Sequence, residues 1–184
     1  MSKSRFLTQF IQRGKTVGSV TPSSRFLARK IIEHIPFERM DVLVELGPGT
    51  GAFTPFLLHK MKPDARLFLV ELNEVFYQEL VEKIQDPRVC IIHGSATDLC
   101  QMIHDQGLSE VDGIVSSLPL SILSSSLRKE ILEASQKALK NKGIFVQFQY
   151  SLQSRKKILN LYGNMKLGFT LWNFPPAFVY TCTK

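Results

Sequence analysis

The stretch Val42-Leu43-Val44-Glu45-Leu46-Gly47-Pro48-Gly49-Thr50-Gly51-Ala52-Phe53 constrains the chain more than any other. An apolar run interrupted only by Glu45 leads into three glycines at alternate positions. Phe53, Phe56, Leu57 and Met61 then recur at helical spacing. This is the pattern of a buried parallel strand, a tight turn and a helix start. Glycine permits positive φ, and without a Cβ it lets a ligand lie against the backbone. The helix start adds unpaired N–H groups and the positive end of the helix dipole. The chain is therefore expected to hold a ligand just beyond its first strand.

The spacing alone leaves the ligand open. Gly47-x-Gly49-x-x-Ala52 also satisfies the loose dinucleotide fingerprint, which would seat a pyrophosphate on the helix start. The other reading is an S-adenosyl cofactor, which has no phosphate. Glu45 favours the second, because a carboxylate there repels a pyrophosphate and suits an ammonium or sulfonium. Arg66-Leu67-Phe68-Leu69-Val70 reads as a second strand ending at Glu71, twenty residues after Gly51. An acid at that place accepts ribose hydroxyls in either reading.

The remaining elements follow from periodicity. Residues 74–84 read as a helix and Arg88–Ile92 as a third strand, with Asp98 just beyond it at a place that also suits a helix cap. Val111–Ser116 is a fourth strand running into Ser117-Leu118-Pro119-Leu120. Ligands of doubly wound sheets bind beyond the carboxyl ends of the strands, so this loop is where a second substrate is expected. The serines from Ser116 to Ser126 do not make a hydrolase: G-x-S-x-G is missing and no His follows them. They read as loop and cap residues for a helix over Leu127–Leu139. Gly143–Tyr150 is a fifth strand, and Arg155, Lys156 and Lys157 open the next helix. Lys166–Trp172 and Ala177–Cys182 are two strands joined by a stiff turn, expected as an antiparallel hairpin at a sheet edge. Seven strands with helices between them give an α/β class, a doubly wound and mostly parallel sheet.

One domain accounts for 184 residues. The charge is uneven: residues 1–30 carry Lys3, Arg5, Arg13, Lys15, Arg25, Arg29 and Lys30 and no acid. We set residues 1–35 apart as a basic amphipathic helical segment and assign 36–184 to the cofactor domain. Phe6, Leu7, Phe10 and Ile11 recur at helical spacing among cations, which suits a helix lying in an anionic membrane interface. A lid helix folded onto the domain would bury the same residues. Thr21 or Ser23 is the expected cap of a second helix running to about Ile35, with Pro22 in its first turn. No signal peptide or spanning segment is evident, and Cys90, Cys100 and Cys182 read as free thiols, so a cytoplasmic location is expected. His34, His59, His93 and His104 lack metal-site spacing, and no metal is expected.

Glu45-Leu46-Gly47-Pro48-Gly49-Thr50-Gly51 resembles the cofactor turn of class I S-adenosylmethionine-dependent methyltransferases. The resemblance implies a cofactor set of Glu45, Gly47, Gly49, Gly51, Glu71, Asp98 and Ser116, with Asp98 meeting the adenine amino group. It implies that Ser117, Leu118, Pro119 and Tyr150 form the catalytic edge, Tyr150 or water serving as base. Two subfamilies compete. Ribosomal RNA adenine dimethylases carry Asn or Asp, a Pro-containing pair and an aromatic in this loop, and the aromatic stacks on the flipped base. Ser117-Leu118-Pro119-Leu120 has neither the Asn or Asp nor the aromatic. Those enzymes also carry a C-terminal RNA-binding helical domain, for which a chain ending at residue 184 leaves no room. The ends, Val17–Arg29 and Asn173–Tyr180, look like the bacterial phospholipid N-methyltransferases that methylate phosphatidylethanolamine or related aminolipids. This resemblance implies an anionic membrane surface and an aminolipid as partners, nucleic acid being disfavoured. It also implies a peripheral place on the inner membrane face, with Tyr150, Arg155 and Lys156 holding the lipid headgroup. A cofactor- or membrane-binding module without transfer activity is the reading of another class.

Overall fold

The computed structural model describes residues 25–173 and 175–184. The expected helix over residues 4–13 and the caps at Thr21 and Ser23 lie outside the described residues. The first described helix, α1 (Arg25–Ile32), ends three residues before the expected Ile35. It buries Leu27, Ala28 and Ile31 on one face. Each fully buried Leu or Ile contributes about 1.5–3 kcal/mol, so α1 is part of the domain's core and not a detachable arm.

Seven strands follow: β1 (Val42–Leu46), β2 (Arg66–Glu71), β3 (Val89–His93), β4 (Val111–Ser116), β5 (Leu139–Gln149), β6 (Lys166–Thr170) and β7 (Ala177–Thr183). The helices between them are α2 (Thr54–Lys60), α3 (Glu74–Lys83), α4 (Leu99–Asp105), α5 (Ser125–Ala138) and α6 (Arg155–Tyr162). The sheet order is β3-β2-β1-β4-β5-β7-β6. The first five strands are parallel, and β7 runs antiparallel to both β5 and β6. The expected edge hairpin is present, with its second strand inserted beside β5.

All five β1 residues are buried, as expected for a central strand covered on both faces. The two faces carry separate cores. Val44, Leu46, Phe68, Ile114 and Phe145 pack under α4, α5 and α6, whereas Leu43, Leu67, Val115 and Val146 pack under α1 and α2. Side chains alternate along each strand, so Glu45 belongs to the α1–α2 face and Gln147 to the α5–α6 face.

Several boundaries differ from the sequence reading. Strand β6 ends at Thr170 and not Trp172, which leaves Leu171 and Trp172 in the turn. Helix α5 begins at Ser125, with Ser124 as cap accepting a bond from the Leu127 N–H. Strand β5 begins at Leu139 and not Gly143, because a bulge intervenes: Val111 pairs with Leu139 but Gly113 pairs with Ile144. Lys142 sits inside the bulge at φ 65°. The extra residues broke the period that marks a strand.

Candidate active site

The strand order reverses between β1 and β4, and that is the place where a doubly wound sheet opens a crevice at its carboxyl edge. The loops leaving the two strands are laced to the sheet. Ser117 donates its N–H to the Leu46 carbonyl at 2.9 Å, and Gly47 donates to the Val70 carbonyl at 2.9 Å. Gly47, Gly49 and Gly51 all have positive φ, at 65°, 58° and 75°. Their surroundings separate their roles. A Cβ on Gly47 would lie 2.6 Å from Leu118 Cδ2, and one on Gly51 would lie 3.0 Å from Leu80 Cδ2. These two let protein approach protein. A Cβ on Gly49 would meet nothing within 4 Å. That open side leaves room for a ligand.

Glu45 is fully buried. Its Oε2 accepts the Thr54 hydroxyl at 2.7 Å, while Oε1 has no hydrogen-bond partner among the described residues. Burial, with the nearby Glu71 charge adding to it, pushes the carboxyl up to about 7, against the opposing Thr54 bond. A buried oxygen left unsatisfied costs about 1–3 kcal/mol. A cationic ligand group with N–H donors would remove that cost. Glu71 ends β2 beside this turn. Its Oε2 accepts the Gly49 N–H at 3.0 Å and its Oε1 the Asn73 N–H at 2.8 Å. Asn73 in turn caps α3 through bonds from Val75 and Phe76. Each carboxylate oxygen keeps a lone pair for a hydroxyl donor. Asp98 lies past the end of β3, the strand that pairs with β2. It is the N-cap residue just before α4, but its side chain makes no capping bond. Among the described residues its exposed carboxylate accepts only the Thr97 hydroxyl, at 3.2 Å.

The loop after β4 is held from beneath. The Leu118 carbonyl accepts Gln147 Nε2 at 3.0 Å, Gln149 Nε2 at 3.1 Å and the Leu120 N–H at 2.8 Å. Gln149 Oε1 also accepts the Ser121 N–H at 3.2 Å. Gln147 Nε2 donates further to the Phe148 carbonyl, which fixes the amide orientation. The loop is thus stiffened by two amides as well as by Pro119. Ser116 Oγ, buried, accepts the Leu118 N–H at 3.4 Å. Ser117 Oγ is buried without a partner among the described residues. Leu118 and Leu120 are both buried in the core, so this loop presents no flat ring to stack on a base.

Tyr150 follows Gln149 at the carboxyl end of β5, half exposed. Its ring meets Phe148 edge-on at 5.9 Å. Burial raises the phenol above its usual range, against a hydrogen bond with Asn173. A phenol shifted that way stays neutral and suits donation more than proton abstraction. Arg155 and Lys156 open α6, exposed, and neither makes an ion pair among the described residues. The structure therefore brings Glu45, the three glycines, Glu71 and the Ser116–Pro119 loop together at one crevice. Tyr150, Arg155 and Lys156 stand along the same edge.

Four residues of this site were not singled out from the sequence: Thr54, Asn73, Gln147 and Gln149. The two glutamines left a signal. They occupy alternate positions of a strand, Phe-Gln-Phe-Gln-Tyr, on one face near its carboxyl end. Polar residues paired in that way on an interior strand point to a job beyond solvation.

The orphaned Glu45 Oε1, the open side of Gly49, the Glu71 carboxylate and the uncommitted Asp98 fit S-adenosylmethionine. Comparison with known proteins agrees. The family described as ribosomal RNA adenine dimethylase matches residues 18–167. An ornithine lipid N-methyltransferase of Singulisphaera acidiphila is 28% identical over 179 residues, covering 96% of this chain and 93% of that protein. A ribosomal RNA small subunit methyltransferase A of Hydrogenobaculum sp. is 29% identical over 116 residues, covering 63% of this chain and 44% of that one. Among solved structures, an O-methyltransferase of Bacillus cereus in complex with SAH superposes with a TM-score of 0.73 at 14% identity, covering 100% of this chain and 91% of that one.

Proposed function

The chain belongs to the ribosomal RNA adenine dimethylase family and is an S-adenosylmethionine-dependent methyltransferase; we propose that its acceptor is the amine of a membrane aminolipid, of the ornithine lipid or phosphatidylethanolamine kind. The observation that carries this reading is the loop Ser117-Leu118-Pro119-Leu120. Its two leucines are buried, so it lacks the stacking platform that a flipped adenine requires. The ornithine lipid relative supports it by matching nearly end to end, whereas the RNA methyltransferase relative is matched over less than half its length.

The residues divide the work as follows. Glu45 offers its unpaired oxygen to the ammonium of the cofactor's amino-acid part. Gly49 leaves the room, Glu71 accepts ribose hydroxyls and Asp98 accepts the adenine amino group. The cofactor, when bound, supplies a methyl on a sulfonium. Ser117 Oγ, buried and unsatisfied, accepts an N–H of the incoming amine and turns its lone pair toward the crevice. The Gln147–Gln149 clamp holds that loop at a fixed height above the sheet. Alignment of this kind is worth up to roughly 7–11 kcal/mol in a displacement between two bound groups. Tyr150, Arg155 and Lys156 hold the anionic part of the headgroup by charge-assisted bonds. The amine arrives protonated and gives its proton to water, because the raised Tyr150 phenol is a poor acceptor. The enzyme works from the inner face of the membrane, held there by its basic N-terminal segment.

The test is the lipid extract of bacterial cells that contain phosphatidylethanolamine and ornithine lipid and express this chain. N-methylated forms of either lipid, absent from cells expressing Gly49→Val, are expected by mass spectrometry. An unchanged lipid profile from cells with soluble, cofactor-binding protein would overturn the assignment.

A further inference from the structure

Strands β5 and β6 both run antiparallel to β7, so they point the same way. The turn after β6 therefore emerges at the same edge of the sheet as the glycine turn and the Ser117–Pro119 loop. Leu171 and Trp172 in this turn are 69% and 75% exposed. Phe26, in the first turn of α1, lies 5.9 Å from Trp172 ring to ring, and the Arg25 guanidinium stands 5.3 Å from the Phe26 ring centre. Leu152, two residues past Tyr150, is also exposed on this edge. The apolar tip is linked to the site itself, since Tyr150 hydrogen-bonds to Asn173 next to Trp172.

Charge is segregated to match. All 16 acidic residues lie between Glu33 and Glu133. Helix α1, of the acid-free N-terminal part, packs against β6 and β7 of the acid-free C-terminal part. Arg25 stands beside the aromatic tip through Phe26, Arg155 and Lys156 open α6 at the same edge of the sheet, and neither end of the chain supplies an acid. Tryptophan beside arginine and lysine is the combination that settles at a lipid headgroup boundary, apolar rings inward and cations among the phosphates. Among the described residues no helix is long and apolar enough to cross a membrane.

We infer that the β6–β7 turn is an interfacial anchor: Leu171 and Trp172 enter the headgroup boundary of an anionic bilayer and hold the catalytic edge of the sheet against it. The purpose of this anchor rests on the aminolipid reading, but its existence is tested without any acceptor amine. Trp172 is the single tryptophan, so its fluorescence reports on the tip alone. The full chain is mixed with vesicles of phosphatidylglycerol and phosphatidylcholine. The expected results are a shift of Trp172 emission to shorter wavelength, quenching by bromine-labelled acyl chains, and no shift with phosphatidylcholine alone. Leu171→Glu is expected to weaken vesicle binding by roughly tenfold with cofactor affinity unchanged. Vesicle binding with unshifted, unquenched Trp172 emission would overturn the inference, as would no vesicle binding. A concentration-dependent shift without lipid would also overturn it, by showing that a second copy covers the tip. Insertion of Trp172 without methylation of any aminolipid would leave the anchor standing and remove the acceptor assignment instead.

Discussion

Gly47 and Gly49 share a backbone conformation and differ in what faces them, and that difference sets opposite outcomes for one substitution. Gly47→Ala forces a Cβ to 2.6 Å from Leu118 Cδ2 at positive φ. A loss of about 2–3 kcal/mol in urea unfolding is expected, with the acceptor loop displaced. Gly49→Ala meets no atom, so only the left-handed strain of about 1 kcal/mol falls on stability. Its methyl instead takes up the room left for a ligand, and calorimetry is expected to show cofactor affinity falling far more than stability. Near-native affinity for Gly49→Ala would mean that the ligand lies elsewhere. Glu45 supplies a pH signature. Its carboxyl titrates near 7 in the folded protein without ligand, against an ordinary value of 4.5. Between those values the folded state keeps a proton that the unfolded state has lost, so stability falls as pH rises through that window. The full effect is on the order of 3 kcal/mol. A cationic ligand prefers the ionised carboxylate. Cofactor affinity is therefore expected to rise with pH up to about 7 and then level off, and Glu45→Gln to bind weakly with no such slope.

The loop after β4 shows what an element contributes beyond its own residues. Gln147→Leu with Gln149→Leu removes two of the three donors on the Leu118 carbonyl. We expect kcat to fall roughly tenfold to a hundredfold, the usual result of misplacing a reactant by about an ångström. Cofactor affinity should hold, since among the described residues the side-chain hydrogen bonds of both glutamines go to the β4 loop and β5 and not to the glycine turn; an equal loss in both would make the pair merely structural. The sequence made the glycine turn, Glu71 and the β4 loop legible because each sits where an apolar run stops, and strand ends are where chemistry collects in this fold. It did not make the clamp legible. Alternating Phe and Gln looks like a strand with one wet face. What buries that face is the β4 loop, whose Leu118 carbonyl both amides reach, and the helix layer of α5 and α6, and only the fold brings these over it. The bulge at 139–143 was hidden for a related reason, since its extra residues are visible only against the partner strand.

At the scale of the whole molecule, truncation is expected to separate α1 from the residues before it. Removal of residues 1–13 is expected to lower vesicle co-sedimentation while leaving cofactor binding intact. Removal of residues 1–32 takes Leu27, Ala28 and Ile31 out of the core and is expected to unfold the domain, which circular dichroism would show. The charge segregation was readable in the sequence, yet its meaning depends on the fold, because only the sheet order brings α1 beside β6. On the proposed reading, this methyltransferase works on a lipid amine. The most direct measurement is transfer of radiolabelled methyl from S-adenosylmethionine in one mixture holding anionic vesicles with an aminolipid and undermethylated small-subunit ribosomal RNA. Label in the lipid phase, unaffected by ribonuclease, is the expected result. Label in the RNA, with the lipid unlabelled, would contradict the account.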